Sequence, residues 1–165
     1  MAEVLHNIPP VFDAQSRLLI LGSFPSVKSR EAAFFYGHPQ NRFWKVTAAV
    51  FDCPVPQSVP EKKAFLLRQH IALWDVIASC EIEGSADSSI RNVVPNDLSV
   101  ILQTADIRRI FVNGKTAEKY YNKYMLSAVG IKAVCLPSTS PANAAKHMDA
   151  LIRDWDILKD TVNRG

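Results

Sequence analysis

Two asparagines sit at points where the chain turns, each offering a side-chain amide. Asn113 closes the apolar run in Phe111-Val112-Asn113-Gly114-Lys115. Its amide presents a donor and an acceptor together, which is what the edge of a flat polar ring requires. The same residue before Gly114 also suits a plain strand-end turn. Asn41 lies in the dense patch Phe35-Tyr36-Gly37-His38-Pro39-Gln40-Asn41-Arg42-Phe43-Trp44. Its carbonyl oxygen can orient a water molecule, but it cannot remove a proton as a carboxylate would. Helix N-capping is the ordinary role of asparagine at such a place. Asp75 and Asp87 are the carboxylates at plausible strand-end or loop positions, where each is a base or a capping and solvated group. Ser23, Ser26, Ser138 and Ser140 lie near glycines and prolines. Short hydroxyls there bind phosphate without filling space, or simply close turns. Lys115 and Lys146 could reach phosphate, although such cations are usually solvated. His38 beside Pro39 is expected to satisfy backbone groups.

These groups are far apart in sequence, so the scaffold must gather them. Leu18-Leu19-Ile20-Leu21 reads as a buried strand of a parallel sheet, with Gly22 and Pro25 turning the chain just past its end. Residues 1–15 read as an extended lead-in, 17–22 as the first strand and 23–40 as a long loop. The spacing of Phe43, Val46, Thr47 and Val50 predicts a helix over 41–51. Residues 52–60 form a connector, and a helix follows over 60–69. Residues 71–78 read as a strand or buried segment, 83–97 as a polar loop and 98–104 as a short helix. A strand over 109–112 leads to Thr116 as an N-cap for a helix over 117–125. The last strand is expected over 131–136. A long amphipathic helix follows over 143–161, with Ala144, His147, Met148, Leu151, Ile152 and Trp155 on one face. Strands alternating with helices predict a mostly parallel sheet with helices on both faces. Ligands in such sheets gather beyond the carboxyl ends of the strands.

Three patches carry a family resemblance. Gly22-Ser23-Phe24-Pro25-Ser26 is similar to the Gly-x-x-Pro motif of the uracil-DNA glycosylase superfamily. His38-Pro39-Gln40-Asn41-Arg42-Phe43-Trp44 resembles the His-Pro-x-Asn-Arg-Phe-Trp segment of its mismatch-specific branch. Leu136-Pro137-Ser138-Thr139-Ser140-Pro141-Ala142-Asn143 resembles its minor-groove loop. The resemblance spans residues 17–154 and implies a three-layer αβα fold around a mostly parallel four-stranded sheet, in a single domain over 1–165. The pattern looks most like the hypoxanthine-DNA (deoxyinosine) glycosylase branch. It implies base flipping, hydrolysis of the N-glycosidic bond and an abasic product, with no cofactor or metal.

By the same resemblance, Asn41 positions water, Asn113 recognises the base edge and Tyr36 stacks on the base. Gly22, Ser23, Phe24 and Gly37 complete the base pocket, with Phe24 as a wall. Ser26, Ser138, Ser140, Pro141, Ala142 and Asn143 contact DNA, and Asn143 shares the wedge role with Ala142. The chain departs from the family in two places. Ser23 and Phe24 stand where an Asp, Asn or Glu usually holds the water, and Ser138 stands where many relatives carry histidine. Uracil or mismatched thymine as substrate, and a non-catalytic damage-binding module, remain the alternatives.

The 165 residues suffice for one domain with a real core, and 48% hydrophobic with 21% charged residues is ordinary for a globular chain. A net charge of +3 mildly favours a polyanionic partner, here double-stranded DNA. No apolar run approaches the ~20 residues of a membrane span. Residues 1–13 lack the basic start and apolar stretch of a secretory signal. A cytoplasmic monomer is the expectation. Cys53, Cys80 and Cys135 are isolated, and read as buried small hydrophobes rather than as metal ligands or a disulfide framework. No Gly-x-Ser-x-Gly elbow or Gly-x-x-x-x-Gly-Lys loop is present to suggest an unrelated hydrolase or a nucleotide-binding protein.

Overall fold

A strand made of Leu18, Leu19, Ile20 and Leu21 has no polar side to turn to water, so both of its faces must be covered. In the computed structural model, which describes residues 3–163, it lies at the centre. In chain order the elements are Glu3–Leu5 (β1), Leu18–Gly22 (β2), Val27–Ala32 (α1), Phe43–Val50 (α2), Val59–Arg68 (α3), Ile71–Asp75 (β3), Ile77–Glu81 (β4) and Arg91–Pro95 (β5). Ser99–Leu102 (α4), Arg109–Asn113 (β6), Lys115–Tyr124 (α5), Leu126–Val129 (α6), Val134–Leu136 (β7), Met148–Trp155 (α7) and Leu158–Asn163 (α8) follow. Residues 1, 2, 164 and 165, which belong to the expected lead-in and domain, lie outside the described residues.

The main sheet has the order β3-β2-β6-β7, and all three pairings are parallel. Side chains of β2 alternate between two cores. Leu18 and Ile20 join Ile71, Leu73 and Phe111 under α2, α3, α7 and α8. Leu19 and Leu21 join Ala72, Ile110 and Val112 against α4, α5 and β4. Each such buried aliphatic contributes roughly 1.5–3 kcal/mol. The four-stranded parallel sheet with helices on both faces is the expected three-layer arrangement.

Several expectations are corrected. The stretch 71–78 is two strands, because Val76 turns away and donates its N–H to the Gly22 carbonyl at 2.8 Å. β4 then belongs to a second, antiparallel sheet of order β1-β4-β5, so the lead-in and the 83–97 loop each contribute a strand. The 23–40 loop contains α1, whose first turn is capped by Ser26 accepting from the Ser29 N–H. Thr116 does not cap α5. Gly114 occupies that place at φ 95°, in the region that favours glycine. Only Val134–Leu136 of the expected 131–136 strand pairs with β6. The long terminal helix is two shorter ones, and residues 143–147 belong to the loop before them. Cys80 is buried, whereas Cys53 and Cys135 are half-buried, so the all-buried reading holds for Cys80 alone. Among the described residues no helix is long and apolar enough to cross a membrane.

Candidate active site

The carboxyl ends of β2, β3, β6 and β7 face one cavity of about 170 Å³. Gly22, Ser23, Phe24 and Ser26 line it from the loop after β2, Tyr36 and Asn41 from the segment before α2, Asn113 from the end of β6, and Ser138 and Ser140 from the loop after β7. An apolar cavity of about 150 Å³ can take benzene, so this one has room for a base ring. Asp75 and the exposed Asp87 also line it.

Asn41 and Asn113, 72 positions apart in the chain, are joined by one residue that sequence reasoning passed over. Thr139 is completely buried. Its hydroxyl donates to Asn41 Oδ1 at 2.9 Å and accepts from Asn113 Nδ2 at 3.0 Å. Its backbone N–H donates to Asn113 Oδ1 at 3.1 Å. Asn41 Oδ1 also accepts from the Phe43 N–H at 2.9 Å, an Asx turn leading into α2, whose N-cap position is held by Arg42. Both lone pairs of that carbonyl are therefore engaged. The expected water-holding oxygen is occupied, and Nδ2 is the Asn41 group left for the cavity. The only signal for Thr139 was its place between Ser138 and Ser140.

The residues after Asn41 explain why the patch is so dense. The Arg42 guanidinium donates to the carbonyls of Ser140 at 3.2 Å and Asn143 at 3.0 Å, and to that of Lys146. Its own N–H donates to the Thr139 carbonyl at 3.0 Å. Arg42 thus clamps the loop that bears Ser138 and Ser140. Trp44 Nε1 donates to the Phe35 carbonyl at 3.2 Å, fixing the segment that bears Tyr36. Phe43 stacks on the Tyr36 ring with centroids 4.1 Å apart.

Tyr36 adopts φ 53°, uncommon for a bulky side chain and typical of strain held at working sites. Its hydroxyl is buried and has no hydrogen-bond partner. Burial first, and then the Asp75 carboxylate, push it far above the usual tyrosine range, while the neighbouring Asn113 amide pulls the other way. It therefore stays protonated. Asp75 is only 4% exposed, and its Oδ2 pairs with Nε2 of the buried His6 side chain at 2.8 Å. A Cβ on Gly22 would stand 2.4 Å from Asp75 Oδ1 and 3.0 Å from the Tyr36 hydroxyl. Gly22→Ala should therefore force the Asp75 carboxylate aside and destabilise the fold by about 1–3 kcal/mol. A lowered thermal midpoint, measured beside the wild type, checks this.

Four expected residues lie elsewhere. Gly37 is absent from the cavity lining and packs on α1, its N–H donating to Ser29 Oγ at 2.9 Å. Pro141 and Ala142 are exposed on the loop, outside the cavity. Asn143 is not a free wedge, because its Nδ2 donates to the Ser138 carbonyl at 3.0 Å. Ala142 and Asn143 instead line an adjoining hollow with Lys115 and Lys146. Among the described residues no cluster of His, Cys, Asp and Glu is arranged to hold a metal ion.

Residues 9–159 match the Uracil DNA glycosylase superfamily, and the chain belongs to that family. Among its relatives is the hypoxanthine DNA glycosylase of Methanosarcina acetivorans, 34% identical over 142 residues that cover 85% of this chain and 89% of that one. The hypoxanthine DNA glycosylase of Methanosarcina barkeri is 33% identical and covers 83% of this chain and 87% of its own. The solution NMR structure of a Methanosarcina acetivorans protein, solved as a candidate uracil DNA glycosylase, superposes with a TM-score of 0.77 at 30% identity. It covers 92% of this chain and 96% of that one.

Proposed function

We propose that this protein releases hypoxanthine from deoxyinosine in double-stranded DNA, flipping the nucleotide out and hydrolysing its N-glycosidic bond to leave an abasic site. The observation that carries the reading is the Asn41–Thr139–Asn113 bridge across the cavity wall. Relatives of that activity align over most of the chain.

Breaking an N-glycosidic bond leaves positive charge on the sugar and negative charge on the departing base. Fixed donors aimed at the base lower that barrier. Asn113 keeps one Nδ2 proton beyond the one given to Thr139, and directs it at the base. Asn41 Nδ2 holds a water by its oxygen near the sugar. Neither amide removes a proton, so positioning and electrostatics carry the rate. Phe24 and the Phe43-backed Tyr36 ring wall the pocket. Ser26, Ser138 and Ser140 lie on the loops facing DNA backbone. In this reading the protein works as a single domain and a monomer.

Duplexes labelled on one strand and containing inosine, uracil, xanthine or a G·T mismatch, incubated with the protein and then treated with alkali, test the proposal. Breaks at inosine are expected. Breaks mainly at uracil or thymine would move the substrate, and binding without any break would make the protein a damage-binding module.

A further inference from the structure

We propose that Asp75 and Tyr36 read the lactam edge of the extruded base, Asp75 Oδ1 accepting the ring N–H while the Tyr36 hydroxyl donates to the adjacent carbonyl oxygen. This rests on the glycosylase reading above and names how its pocket selects a base. The two groups flank the same point beside Gly22 at the strand-end wall of the cavity. Asp75 Oδ2 is taken by His6, and Oδ1 has no hydrogen-bond partner among the described residues. The Tyr36 hydroxyl is buried without a partner, a costly state in a finished protein unless something arrives to satisfy it.

A flipped nucleotide enters base first, so a carboxylate only 4% exposed at the strand ends meets the base rather than the sugar. A donor beside a bare acceptor matches a carbonyl next to a ring N–H. Hypoxanthine, xanthine and uracil all present that edge. Adenine and cytosine present the reverse, an amino group beside a bare ring nitrogen, and would place that nitrogen's lone pair against the carboxylate. Leaving buried polar groups unpaired is among the strongest forms of discrimination a site can build. Guanine shares the lactam and must be refused by other contacts. For Tyr36, edge-on contact replaces face-on stacking, and the Phe43 ring holds it in place. Asp75 also supplies the acidic group missing from the Gly22–Ser26 motif, but at the base and not at the water.

Asp75→Asn is nearly isosteric and keeps an oxygen for His6, and Tyr36→Phe removes only an unpartnered hydroxyl. Both should fold, with thermal midpoints close to wild type. Single-turnover release is measured from duplexes carrying inosine and from duplexes carrying nebularine, whose purine has neither the carbonyl nor the ring N–H. Each variant is expected to slow hypoxanthine release at least tenfold and not to slow purine release, whose bare ring nitrogen the wild-type carboxylate already opposes. Equal slowing on both substrates would place the residues in the chemistry or the fold and overturn the inference. Unchanged hypoxanthine release would overturn it as well. Wild-type protein that releases no hypoxanthine would sink the parent proposal, a result separable from either.

Discussion

Asn41→Ala and Asn113→Ala should each reduce base release by more than tenfold, a loss of more than about 1.4 kcal/mol of transition-state stabilisation. Loss of an oriented amide donor commonly costs roughly 100- to 1,000-fold in related electrostatic sites. The structure adds a third member to the set. Thr139→Val keeps the side-chain volume and removes the hydroxyl that ties both amides. It should slow release about as much as either asparagine change, although Thr139 is absent from the cavity lining. Asn113→Ala leaves the buried Thr139 N–H without its acceptor, at a cost of about 1–3 kcal/mol in stability. Activity is therefore compared at temperatures where circular dichroism shows each variant folded. Full activity in Asn41→Ala would remove that residue from the mechanism.

Trp155→Ala has the largest expected effect on stability. The indole is fully buried, meets Phe43 edge-to-face at 5.8 Å and donates from Nε1 to the Pro137 carbonyl at 2.9 Å. Truncation costs about 3–5 kcal/mol. At about 2–4 °C per kcal/mol for a chain of this size, the thermal midpoint falls by about 10 °C. Trp155→Phe keeps one ring and loses the hydrogen bond, worth about 1 kcal/mol, together with part of the buried ring volume, so its cost falls between wild type and Trp155→Ala. Because that bond holds Pro137, just before Ser138, Trp155→Phe should also weaken duplex binding. A midpoint unchanged in Trp155→Ala would mean that the α7 face does not anchor the sheet.

The strand Leu18–Gly22 and helix Phe43–Val50 were legible because burial imposes unbroken apolar runs and a 3.6-residue period on them. Asn41 and Asn113 were legible because they follow or precede such elements within recognisable motifs. β1 and β5 were not, since an edge strand with exposed positions carries little apolar pattern. The division at Val76 was hidden because both halves are apolar, although they belong to different sheets. The terminal helix was overextended because its apolar period carries on upstream into residues that Arg42 holds as loop. Thr139 and the His6–Asp75 pair were missed for one reason: their meaning lies in partners tens of residues away, and local spacing does not encode those partners.

His6 lies one residue beyond β1, and its ring touches the aspartate at the cavity wall. The segment just after β1 thus braces a side chain of the cavity lining. A variant that lost β1 and His6 would strip Asp75 of its partner while leaving every motif residue in place. Purified material that binds DNA yet releases no base should first be checked for an intact first strand.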